Sequence, residues 1–237
     1  MKDEIVKGSS QVIEFEKPNY KVSEYAEDNF YGKFEIEPLE RGFGTTMGNA
    51  LRRVLLSSLP GTAITSVKID GIQHEFQTLD GVREDITTII LNLKAVVLVN
   101  NSNEDKVISI DATCDEGERV IYASDITSDG DIEVINKDLA IATIVKGAHL
   151  HMEMTVSNGR GYVKSEENKG LLDNSKKGYI AIDSLYSPIR RVAYEALSAR
   201  VGQNENFDKL IIEIWTNGAI KPEEALGDAS KILKKHF

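Results

Sequence analysis

The sequence predicts an α+β fold built on antiparallel sheet, and three observations predict it. An amphipathic helix is written between Thr45 and Ser58. Repeated short β-branched runs, separated by turn residues, fill the middle of the chain. A second amphipathic helix begins at Pro222 and closes it. The 237 residues suffice for one large or two modest domains, and 41% hydrophobic against 28% charged content favours a packed chain.

The elements follow in order. Residues 1–10 read as a polar tail, and strands are predicted at Gln11–Lys17 and Lys33–Glu37. In the second of these, Phe34 and Ile36 alternate with Lys33, Glu35 and Glu37. Gly42 and Gly44 form a turn, Thr45 and Thr46 are the expected N-caps, and Pro60-Gly61 stops the helix. Met47, Ala50, Leu51, Val54 and Leu55 recur at helical spacing and define an apolar face. At about 100° per residue, Asn49, Arg52, Arg53 and Leu56 share the opposite side. A leucine among arginines is an apolar anchor with a cationic rim, as at protein contacts. A plain surface helix with one stray leucine is the alternative.

Ile64–Ile69 is the next predicted strand, with a turn at Asp70-Gly71. A helix is expected from Asp80 through Val82, Ile86, Ile89, Ile90 and Leu93. Strands follow at Val96–Val99, Val107–Ile110, Glu133–Ile135, Ile141–Val145 and His149–Val156, with turn-rich spacers at Asp115–Glu118 and Ser128–Asp131. Residues 164–178 read as a polar loop. Residues 191–201 fit helix and strand equally by periodicity, whereas 207–215 is a clear strand with Leu210, Ile212 and Ile214 on one face. In the last helix, Leu226, Ala229, Leu233 and Phe237 form an apolar face. It docks either on the chain's own sheet or on a second copy.

Composition excludes several functions. The balance of 38 acidic to 28 basic residues, net −10, opposes unaided gripping of a phosphate backbone. The single cysteine, Cys114, precludes an internal disulfide and fits a reducing cytoplasm. No apolar run reaches membrane-spanning length and no signal segment opens the chain, so no membrane partner is expected. Chemistry-bearing clusters are weak. Asp125, Asp129 and Gly130 match part of a calcium loop, but Thr127 and Asn136 replace ligands. Asp129 and Asp131 invite comparison with two-metal sites, and His149 and His151 share a strand face. Gly159-Arg160-Gly161 is too short for a phosphate loop, and no Walker A, nucleophile elbow or zinc-protease helix is present.

The stretch EPLERGFGTTMGNALRRVLLSSLPG (37–61) resembles the signature of the bacterial RNA polymerase alpha subunit, amino-terminal domain. Similar matches recur at KIDGIQHEF (68–76), ILNLKAV (90–96), GRGYV (159–163), YSPIRRVAYE (186–195) and DKLIIEIWTNGAIKPEEAL (208–226). The resemblance implies a discontinuous dimerisation subdomain, 1–60 plus 187–237, and an inserted β-rich subdomain, 61–186. It makes 191–201 a strand. It implies a homodimer paired through Phe43, Met47, Ala50, Leu51, Val54, Leu226, Leu233 and Phe237. It places Arg53 and Leu56 against the beta subunit, with Arg52 and His74 secondary. Lys94, Arg160 and Tyr162 face the large subunits, beta-prime being the tentative assignment.

By the same resemblance the chain is a non-catalytic assembly scaffold of a nucleotidyltransferase complex. It has no cofactor of its own, since the complex's catalytic magnesium belongs to beta-prime, and it meets DNA only through the complex. The family's carboxy-terminal DNA-binding domain would follow beyond Phe237. Two competing readings are a metal-dependent hydrolase using Asp125, Asp129, Asp131, His149 and His151, and a free-standing nucleic-acid binder.

Overall fold

Two separate hydrophobic clusters organise the chain in its computed structural model, which describes residues 17–25, 30–102, 104–172, 178–202 and 204–236. The expected strand at Gln11–Lys17 lies outside these residues except for Lys17, and so does Phe237.

The first cluster draws on both ends of the chain, from Phe34 to Leu59 and from Ile189 to Ala229. Its sheet comprises β1 (Asn19–Tyr25), β2 (Tyr31–Glu40), and the long pair that later becomes β13 (Ile189–Val201) and β14 (Asn204–Thr216). The order is β1-β2-β14-β13, antiparallel throughout. Residues 191–201 are therefore strand: their alternation pairs with β14 along its length, and tertiary pairing decides what local periodicity left open. Phe34, Leu210, Ile212 and Ile214 face two helices, α1 (Phe43–Ser57) and α4 (Pro222–His236). These helices pack on one another as well as on the sheet. The last helix buries Ala225, Leu226 and Ala229 within its own chain and leaves Leu233 partly exposed.

Helix α1 begins three residues earlier than a Thr45 cap would start it. Its N-cap is Gly42, at φ +89°, and neither Thr45 nor Thr46 caps it; the Thr46 hydroxyl instead donates back to the Gly42 carbonyl. The buried face includes Gly44 and Gly48 beside Leu51 and Leu55. A Cβ at Gly48 would run into the Tyr194 ring, so the missing side chain permits the close helix–sheet approach.

The second cluster spans Ile64 to Ile182. Its elements are β3 (Pro60–Ile69), α2 (Ile86–Lys94), β4 (Leu98–Asn100), β5 (Lys106–Thr113), β6 (Glu118–Tyr122), β7 (Ile132–Val134), β8 (Ala140–Val145), β9 (His149–Arg160), β10 (Tyr162–Val163), α3 (Ser165–Leu171), β11 (Ile180–Ala181) and β12 (Ser184–Leu185). A six-stranded sheet runs β5-β9-β3-β4-β7 with β11 also on β3, beside the small pairs β6-β8 and β10-β12. Helix α2 starts at Ile86, where Asp85 caps it by accepting from the Thr88 amide. Val82 falls before the helix because it bridges to Ile144.

Part of the presumed 164–178 loop is helix α3. Its polar surface hides one anchor: buried Asn168 donates to the Ile182 carbonyl and the Ser184 hydroxyl. The Asp115–Glu118 spacer likewise runs into β6, whose Ile121 is fully buried.

Candidate subunit interface

The outward side of α1 exposes Arg52, Arg53 and Leu56, the leucine at 37%. Among the described residues neither guanidinium has a partner within the chain. Two free cations flanking a leucine form a surface that a protein partner can desolvate without first breaking an ion pair.

This patch continues into the second unit. The β9–β10 turn brings Gly161 beside the carboxyl end of α1, where a Cβ would lie 3.7 Å from the Ser57 carbonyl oxygen. Arg160 is exposed at the end of β9, opposite Pro60. Tyr162 pairs with Leu185, and both side chains are more than half exposed. Desolvation raises the Tyr162 phenol, and the neighbouring Asp183 charge adds to the effect.

Asp183 anchors the middle of the surface. Lys94 Nζ lies 2.8 Å from one carboxylate oxygen and the Ser165 amide donates to the other at 2.8 Å. These bonds, the ammonium's first, lower the Asp183 carboxyl to about 2. Lys94 is therefore partnered within the chain, so a subunit that meets it meets a neutralised pair. Beyond it runs a shallow groove lined by Glu75, Leu91, Lys94 and Asp183. His74 is exposed in the turn above, its ring 6.4 Å from that of Phe76, which is 82% exposed. Gln77 holds this turn by accepting from the His74 amide at 3.1 Å, and Thr87 of α2 donates to the Glu75 carbonyl.

Thus Arg52, Arg53 and Leu56 are connected through Arg160 and Tyr162 to Lys94 and His74 along one strip crossing both units. Sequence reasoning missed Phe76, Leu91, Leu185 and Asp183. Leu91 alone carried a signal, because it falls outside the 86/89/90/93 stripe of α2.

The other predicted contact set divides by depth. Phe43 is 50% exposed, and Met47, Ala50, Val54 and Leu233 are partly exposed. Leu51 and Leu226 belong to the chain's own core, so they support that face from beneath and offer no surface to a second copy.

The acidic clusters turn out to be internally neutralised. Lys106 Nζ lies 2.8 Å from Asp129 and 2.7 Å from Asp131, which raises the lysine and lowers Asp129. Asp125 receives Arg119 and the Tyr122 amide. His149 and His151 both face Asp111, at 2.7 and 3.7 Å. The three carboxylates of the hydrolase reading therefore fall into two pairings and its two histidines into a third, and among the described residues no three His, Cys, Asp or Glu side chains gather as a metal site would need.

Residues 67–187 match the family model described as the RNA polymerase Rpb3/RpoA insert domain, which places the chain among RNA polymerase subunits of that class. The chain is also 56% identical, over 226 residues, to the DNA-directed RNA polymerase subunit alpha of Symbiobacterium thermophilum; the alignment covers 95% of this chain and 70% of that protein. The chain belongs to the bacterial RNA polymerase alpha-subunit family. Among the described residues no helix is long and apolar enough to cross a membrane.

Proposed function

We propose that two copies of this chain pair through the half-exposed face of α1 and α4, and that the pair serves as the assembly scaffold for the beta and beta-prime subunits of RNA polymerase. Residues 1–60 and 187–237 form the pairing unit and 61–186 the inserted unit. What supports this reading is the run of exposed side chains from Arg53 and Leu56 through Tyr162 to Phe76, which draws on both units and, among the described residues, has unpartnered guanidinium groups at one end. Beta docks on the α1 end and His74; Lys94, Arg160 and Tyr162 face the large subunits, beta-prime among them. Catalytic metal chemistry belongs to the partners, and DNA is reached through the complex, in the cytoplasm.

The two faces of α1 separate the steps. Arg53→Ala and Leu56→Asp are expected to leave the dimer intact and reduce capture of purified beta at least tenfold, the scale of a lost interface anchor. Val54→Asp, on the half-buried side, abolishes pairing because it would bury an unpaired carboxylate. Light scattering and a beta pull-down on the three variants test this. Equal behaviour of all three would refute the two-face assignment.

A further inference from the structure

Helix α1 lacks the usual means of fixing its own amino end. It has no side-chain cap, and its first turn holds no acidic residue to meet the positive end of the helix dipole. A distant strand supplies both. One carboxylate oxygen of Asp208, Oδ2, accepts from the Gly42 amide at 2.8 Å and the Gly44 amide at 3.1 Å. Asp208 precedes the helix-facing row of Leu210, Ile212 and Ile214, paired with Ser198 of β13 on one side and, across a register irregularity before Leu210, with Leu39 of β2 on the other. The approach depends on Gly44, where an added Cβ would come within 3.0 Å of Ala196 and 3.1 Å of Asp208.

We infer that Asp208 is a positioning residue: from β14 it latches the amino end of α1 and thereby sets the angle at which that helix presents its two contact faces. A helix with an uncapped first turn frays, and fraying here displaces Phe43 and Met47 first. The inference deepens the scaffold reading, on which its functional consequence rests.

Hydrogen exchange across α1, measured on the whole chain beside light scattering and beta capture, tests it. Asp208→Ala should speed exchange of the Gly44–Met47 amides about fivefold to tenfold, the range expected for a lost N-cap, while β9 amides in the second core stay unchanged. Asp208→Asn keeps an acceptor of the same shape and should restore most of the protection, with pairing and capture recovering in parallel. Should Ala fail to fold, Asp208→Ser takes its place, because its shorter reach cannot span both amides. Wild-type exchange in the Ala or Ser variant, or an Asn variant no better than Ala, overturns the latch. If exchange follows the expected order but wild-type chain captures no beta, the latch stands and the scaffold reading falls.

Discussion

The two cores of this chain differ in how completely each buries itself. The core between Ile64 and Ile182 closes within one continuous segment, and its large side chains, such as Ile86, Ile110 and Met152, are fully hidden. The core built from the chain ends is smaller, and its partly covered side chains include Met47, Val54, Ile232 and Leu233 on the two helices, whereas those around the other core are Leu79, Val82, Val134, Leu139 and Ala148. A region that finishes its own burial has little to gain from a partner; one that does not keeps a reserve of apolar area for association. The comparison therefore favours the sheet-and-two-helix unit for the pairing proposed above. The inserted unit instead exposes large side chains singly, among them Phe76, Leu91, Val107, Tyr162, Leu171 and Leu185, around a closed core.

Three perturbations sharpen or break that contrast. The largest effect is expected from matched cavities. Leu55→Ala and Leu93→Ala each remove a fully buried leucine and should cost about 3 kcal/mol. Only the first should also lower the dimer mass. Equal loss of pairing in both would mean that the units do not act separately, as read by calorimetry together with light scattering.

Gly48→Ala comes next. The added methyl meets the Tyr194 ring and should cost about 2 kcal/mol by overpacking. Thermal melting would show it, and a neutral or stabilising result would mean that α1 can shift on its sheet.

The smallest is electrostatic. Because the Asp183 carboxyl is lowered when folded, the stability it adds is fully present above its ordinary range near 3.8 and is lost as pH falls toward about 2. Asp183→Asn should therefore cost about 1 kcal/mol at neutral pH, after allowance for solvent screening. The difference should close between pH 4 and pH 2, as followed by denaturant titration. A pH-independent difference would assign the loss to the Ser165 hydrogen bond instead.

How much was legible in the sequence depended on whether apolar residues did the work. The α1 stripe, the alternation of β2 and β14, and the runs that became β8 and β9 were readable because burial writes a period. Glycine packing at Gly44 and Gly48 was not, since hydropathy is silent where backbone replaces side chain. Helix α3 was missed because one buried amide, Asn168, holds it in place of an apolar face. The exposed Arg53–Leu56 side was legible from its composition. Its continuation to Asp183 and Phe76 was not, because strands far apart in sequence bring those residues together. The Asp208 carboxylate illustrates the same limit: the sequence shows an acid at the end of a strand, and only the fold shows which amides it meets.

The sheet order β1-β2-β14-β13 has a temporal corollary. During synthesis β2 and α1 leave the ribosome long before β14 exists, whereas every strand between Pro60 and Leu185 finds its neighbours inside that interval. A nascent chain whose residues up to Leu185 have just emerged should carry a finished inserted body, with a β1–β2 pair still lacking its second neighbour and a loose helix ahead of it. Residues 31–57 thus wait for residues 204–236, and the face of α1 and α4 proposed above to pair is complete only once those have been made.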